Sequence, residues 1–213
     1  MNWVIGLFST SVGKKVLMAV SGLSFIGFLV VHLIGNLTIY GGKDYFDGYV
    51  THLHSLGPLL NVAEAGLLAF AILHVLTGAI LTFQNFLARP VRYKVKKRAG
   101  GRTIGSATMP YTGAILLVFL VFHVTHFHFA DHTLKTTFEI VSGYFANPLY
   151  AGAYVGVMII AALHVSHGLW SAFQTLGVYH DKYNGALRVL SILFAVSVAA
   201  GFGFLPIYFN LFI

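Results

Sequence analysis

Apolar residues fall in long blocks, and polar residues gather between them. A helix rising 1.5 Å per residue needs about 20 apolar residues to cross the hydrocarbon of a bilayer. Five blocks qualify, at roughly 14–40, 61–88, 109–130, 149–176 and 185–212. The pattern predicts an all-α integral membrane bundle of five transmembrane helices, a single domain over residues 1–213 with no soluble part. The ends carry their own signals. Lys14 and Lys15 sit at headgroup level, Gly41-Gly42 stops the first span, and Asn147-Pro148 reads as an N-cap with a first-turn proline. Pro110 suits the first turn of the third span, and Pro206 should kink or shorten the fifth.

Composition narrows the chemistry. At 57% hydrophobic and 9% charged, the chain has too few polar side chains to cover a water-soluble domain. Cysteine is absent, which excludes covalent haem attachment, cysteine-ligated iron–sulfur clusters and disulfides. The net charge of +7 does not point to nucleic acid, because the basic residues flank apolar spans instead of mingling with stacking aromatics. Topology accounts for them. Lys14, Lys15, seven residues from Arg89 to Arg102, Lys182 and Arg188 fall on one side, and only Lys43 and Lys135 on the other. The positive-inside rule then places the N-terminus and the 89–108 and 177–184 loops in the cytoplasm, with 41–60 and 131–148 outside. The apolar run at Met1–Thr10 precedes its basic pair, the reverse of a secretory signal, so the first span should be retained.

Four spans carry a histidine deep in the apolar run: His32, His74, His123 and His164. An ionisable side chain at such depth is a functional hypothesis by default. Counting along the helices puts His32 and His123 in the outer half and His74 and His164 about 10 Å above the cytoplasmic edge of a 30 Å core. Two imidazoles at one level on facing helices suit bis-histidine ligation of haem, here twice, with the irons about 10–15 Å apart along the membrane normal. The first four spans would then form a haem-binding four-helix core. Zinc lacks a third ligand at either level, and a proton relay would call for carboxylates. His126 and His167 follow a proposed ligand by three residues, so each is a propionate partner, a supporting donor or the ligand itself. The nearest thing to a repeat is a histidine with a glycine three or four residues on, as in His32/Gly35, His74/Gly78 and His164/Gly168. Such a glycine leaves room for a flat macrocycle or simply for close helix packing.

The five-span plan, the four histidines and above all LHVSHGLWSAFQTLG at 163–177 resemble the dihaem cytochrome b membrane anchor of succinate dehydrogenases and fumarate reductases, in its single-anchor form. The resemblance covers nearly the whole chain. It implies a subunit of the bacterial cytoplasmic membrane without dicarboxylate chemistry of its own. On the cytoplasmic side a flavoprotein interconverts succinate and fumarate and an iron–sulfur subunit carries the electrons. The anchor passes them through two haem b groups to or from a quinone, usually menaquinone. His74 and His164 would hold the haem nearer the soluble subunits, and His32 and His123 the other.

A quinone site near the outer haem would draw on protonatable residues at that boundary, where Asp47, His52, His54 and Glu64 are available. Glu64 opens the second span, where it would also favour a helix N-terminus. The basic loop RPVRYKVKKRAGGR at 89–102 offers a dock for the iron–sulfur subunit, although topology alone explains its charge. Two other readings stay open. One is the cytochrome b of another quinone-linked complex, a hydrogenase or formate dehydrogenase; the other is a transporter with histidines along its path and no haem.

Overall fold

Inside a bilayer every backbone N–H and C=O must find its partner within the protein, and helices meet that demand segment by segment. The computed structural model describes residues 6, 9–88 and 103–212. Among these residues the chain is helical throughout, with no strand and with five helices long and apolar enough to cross a membrane. It is a multi-pass membrane bundle. The basic loop at 89–102 lies outside the described residues.

Helix α1 (Ser11–Leu37) starts at Thr10, whose hydroxyl accepts the Gly13 N–H, and tightens into a 3-10 turn over Thr38–Gly41. Gly42 then turns the chain at a φ of 88°, a conformation open to glycine and strained for other residues. A short helix α2 (Lys43–Ser55) follows, and α3 (Pro58–Leu87) re-enters the bundle. Helix α4 (Ile104–His123) continues through a π-turn, Val124–His128. A second short helix, α5 (Thr137–Phe145), begins in a capping box made by Thr136 and Glu139. Helix α6 (Pro148–Thr175) has Asn147 as its N-cap and Pro148 in its first turn, and α7 is Asp181–Phe212.

Two proline expectations need correction. Thr103 accepts the Ser106 N–H and starts α4 well before residue 109, so Pro110 sits inside that helix and not in its first turn. Pro206 does not shorten the last span; α7 runs on to Phe212, with Pro206 fully buried. Neighbouring helices can cover the carbonyl that proline leaves unpaired.

Helices α1, α3, α4 and α6 form a four-helix set, with α7 packed chiefly along α6 and partly on α1. Within the set α1 meets α3 and α6, and α4 meets α6, whereas α3 and α4 touch least of the neighbouring pairs. The apolar windows of α3, α4 and α6 are each only 6% buried within the chain, against 33% for α7. The main apolar cluster lies at the end carrying α2 and α5. It joins Ile39, Phe46, Val141, Phe145, Tyr154, Leu205 and Phe209. The end carrying Lys14, Lys15, Lys182 and Arg188 is called the basic end below, and the opposite one the far end.

Candidate functional site

The histidines meet as two diagonal pairs across the four-helix set. The ring centroids of His32 on α1 and His123 on α4 are 5.9 Å apart, with ring planes at 89°. Those of His74 on α3 and His164 on α6 are 6.4 Å apart, with planes at 65°. A metal held between two imidazoles by bonds of about 2.0 Å sets the centroids roughly 6.3 Å apart. Both pairs fit that spacing. Among the described residues no group of three or more His, Cys, Asp or Glu gathers to hold a metal ion.

What holds the rings is as telling as their separation. Ser21 Oγ lies 3.1 Å from His74 Nδ1, and it already donates its proton to the Leu17 carbonyl at 2.7 Å. With its proton on that carbonyl the hydroxyl can only accept, an arrangement in which Nδ1 of His74 carries the hydrogen and Nε2 keeps its lone pair. Thr112 repeats the arrangement for His164: its Oγ1 is 3.1 Å from Nδ1 and donates to the carbonyls of Thr108 and Met109, each at 3.1 Å. Ligating imidazoles are oriented in just this way, by a partner on the other ring nitrogen. Each hydroxyl is followed by a glycine under the same ring. A Cβ on Gly22 would stand 3.4 Å from His74 Cε1, and one on Gly113 3.4 Å from His164 Cε1.

In the far-end pair, His123 Nδ1 is 3.4 Å from the Tyr154 hydroxyl. His32 is held differently. The Asn36 amide donates to the His32 carbonyl at 2.8 Å and lies 3.4 Å from its Nδ1, while Phe28 stacks on the ring.

The anchors expose a tandem repeat much longer than the His/Gly motif. SGLSFIGFLVVH at 21–32 aligns with TGAILLVFLVFH at 112–123, and ILHVLTG at 72–78 with ALHVSHG at 162–168. In both halves the hydroxyl residue precedes the far-end histidine by eleven positions, Ser21 to His32 and Thr112 to His123. The order long, short, long recurs in α1–α3 and α4–α6, and α7 stands outside it. Because Ser21 is level with His74, those eleven residues also measure the offset of the two pairs, about 16 Å along the helix axis. That spacing was the sequence signal for Ser21 and Thr112.

The remaining candidates scatter. Asp47 Oδ1 accepts the Phe138 N–H at 3.0 Å in the first turn of α5. His52 and His54 lie on exposed turns of α2, with His54 Nδ1 2.9 Å from the Val50 carbonyl. Glu64 faces His128, 3.9 Å away, and bonds to neither His52 nor His54 among the described residues. His126 reaches the Tyr150 hydroxyl at 3.3 Å. His167 packs against Gly105 and Trp170, with a buried Nδ1 that has no hydrogen-bond partner among the described residues. At the basic end Trp170 Nε1 donates to Asn184 Oδ1 at 3.0 Å, and the Arg188 guanidinium lies 5.6 Å from the Trp170 ring centre.

No family model matches the chain, and neither a curated protein nor a solved structure matches it.

Proposed function

We propose that this chain is the membrane anchor and electron-transfer subunit of a succinate:quinone oxidoreductase, a succinate dehydrogenase or a fumarate reductase. It would hold two b-type haems in a bacterial cytoplasmic membrane with its N-terminus on the cytoplasmic side. The observation that carries the reading is the doubled imidazole pair, each pair spaced for one metal between two rings. Bound between those rings, the haems supply one-electron chemistry that no side chain of this cysteine-free chain provides.

The protein's part is to hold and orient. Ser21 and Thr112 fix the tautomers of His74 and His164, and Gly22 and Gly113 keep the space beside each ring clear of side chains. The limited contact between α3 and α4 leaves one side of the four-helix set for a macrocycle to enter. His167 Nδ1, without a hydrogen-bond partner among the described residues, suits a propionate of the haem at that level. Iron–sulfur and flavoprotein subunits would dock at the basic end, and menaquinone would exchange electrons near the far end, with Glu64 facing His128 as one group at that boundary. An electron crossing the membrane gains or loses about 2.3 kcal/mol per 100 mV, so the reaction would feel the membrane potential.

The test is optical and analytical. The purified chain should show a reduced-minus-oxidised b-type spectrum with two irons per polypeptide. Replacing any one of His32, His74, His123 or His164 by alanine should remove one of them. A colourless chain, or full iron content in the His74→Ala and His164→Ala variants, would overturn the proposal and favour the transporter reading.

A further inference from the structure

The chain carries six acidic residues, and five of them, Asp44, Asp47, Glu64, Asp131 and Glu139, lie at the far end. The sixth, Asp181 in the first turn of α7, is exposed and accepts the Tyr179 hydroxyl at 2.7 Å. The basic end holds no other carboxylate. Lys14 is nonetheless buried there, only 8% exposed, and neither ion pair among the described residues includes it. Lys15 beside it is exposed, as a lysine at headgroup level normally is. Burying a cation is costly unless an anion comes with it, and this chain supplies none.

The stripe on which Lys14 sits fixes what it faces. Met18, one turn on, has its Sδ 4.0 Å from Thr77 Oγ1 and its Cε 3.5 Å from where a Cβ on Gly78 would stand. Ser21, two turns on, reaches His74. Positions i, i+4 and i+7 share one face of a helix, so Lys14 lies on the α3 side of α1, to the basic side of His74.

The repeat supplies the other half of the site. The alignment that matches Ser21 with Thr112 also matches Met18 with Met109 and Lys14 with Gly105, while the one that matches His74 with His164 pairs Thr77 with His167. Helices α1 and α4 run one way, α3 and α6 the other, and each histidine pair joins equivalent residues. The halves are thus related by a pseudo-two-fold axis that passes between the rings of both pairs. Gly105 abuts His167, since a Cβ on it would stand 2.8 Å from His167 Cβ, and the same relation sets Lys14 at the level of Thr77. One donor is left over at that level in each half. In the second half it is His167 Nδ1, buried and without a partner among the described residues. In the first, the Thr77 hydroxyl donates to the Leu73 carbonyl at 2.7 Å, and Lys14 remains. Two donors on opposite sides of one axis suit a ligand with two acid groups along one edge.

We infer that Lys14 is the counter-charge for a second carboxylate on the ligand of the His74/His164 pair, the first being the one on His167, and that the ligand's acid edge faces the basic end. This rests on the haem reading above and adds to it a residue and an orientation. A bare metal ion would bring no anion to Lys14, and a lipid phosphate is served by the outward-facing Lys15.

Membranes holding the full-length His123→Ala chain, made in cells that cannot synthesise haem, isolate the basic-end site for titration with protohaem and with its dimethyl ester. With Lys14 intact, protohaem should bind about a hundredfold more tightly than the ester, about tenfold for each hydrogen bond to a charged group. Lys14→Met should weaken protohaem about tenfold and leave the ester unchanged, and Lys14→Arg should restore protohaem binding. Equal binding of protohaem and ester with Lys14 intact, or an equal loss of both in Lys14→Met, would overturn the inference and leave the haem reading standing. Undiminished protohaem affinity in Lys14→Met would also overturn it, and loss of bound phosphatidylglycerol from that variant would mark a lipid site instead. Uptake of neither compound would sink the haem reading, and this inference with it.

Discussion

A serine or threonine in a membrane helix ordinarily gives its proton to a carbonyl one turn back, and Ser21 and Thr112 do so while also receiving an imidazole. Accepting from Nδ1–H makes the ring a stronger donor to a bound metal and so favours its oxidised state. If the chain holds the two proposed haems, Ser21→Ala and Thr112→Val should keep both but raise the midpoint potential of the basic-end one by about 20–50 mV, as a hydrogen bond of about 1 kcal/mol implies. Redox titration followed at the two haem bands checks this, and the far-end haem should not move. At this scale the histidines were legible because an imidazole in an apolar run stands out. Their anchors were not, since a lone hydroxyl looks like any other helix residue until the spacing from Ser21 to His32 is set against that from Thr112 to His123. The bond from the Phe138 N–H to Asp47 was not legible either, because it lies on a short helix absent from the sequence reading.

The helices were legible to within a few residues at most ends because length and hydropathy decide spans. The short helices α2 and α5 were missed because 41–60 and 131–148 show no long apolar run, only caps such as the Thr136/Glu139 box. Packing between elements turns on a few glycines. A Cβ at Gly105 would lie 2.8 Å from His167 Cβ and 3.0 Å from the Leu163 carbonyl, neither a flexible chain end, so Gly105→Ala must push α4 from α6. That displacement acts on the helix pair joined by Thr112 and His164. We expect a cost of about 1–3 kcal/mol and, on the proposed reading, loss of the basic-end haem on mild heating. Gly27→Ala, with nothing within 4 Å, serves as the control. Equal thermal loss of haem in the two variants would show that the contact does not set the geometry.

The two repeat halves are tied together at the far end, where α2 of the first meets α5 of the second. The polar ties there are the Lys43–Glu139 ion pair and the Asp47 cap on Phe138 N–H. The hydrogen bond from Lys43 holds the Glu139 carboxyl below its ordinary 4.5, helped by the Thr136 N–H, and the same bond raises Lys43 above its ordinary 10.5. For Glu139 the bound proton is the destabilising state. Its contribution is complete above 4.5 and disappears as pH falls through the depressed value. For Lys43 the sign reverses, so its contribution is complete below 10.5 and disappears as pH rises through the elevated value. Both side chains are well exposed, which keeps the effect small and sensitive to salt. Amide hydrogen exchange in α2 and α5, corrected for the intrinsic pH dependence, should show protection flat across the middle range and falling in acid as pH drops through the depressed Glu139 value. Protection of the spans should not follow it. In Glu139→Gln the ion-pair contribution to that acid limb should vanish and protection at neutral pH should drop to the level the native protein reaches in acid. An acid limb unchanged in Glu139→Gln would mean that the Lys43–Glu139 pair does not govern how α2 and α5 are joined.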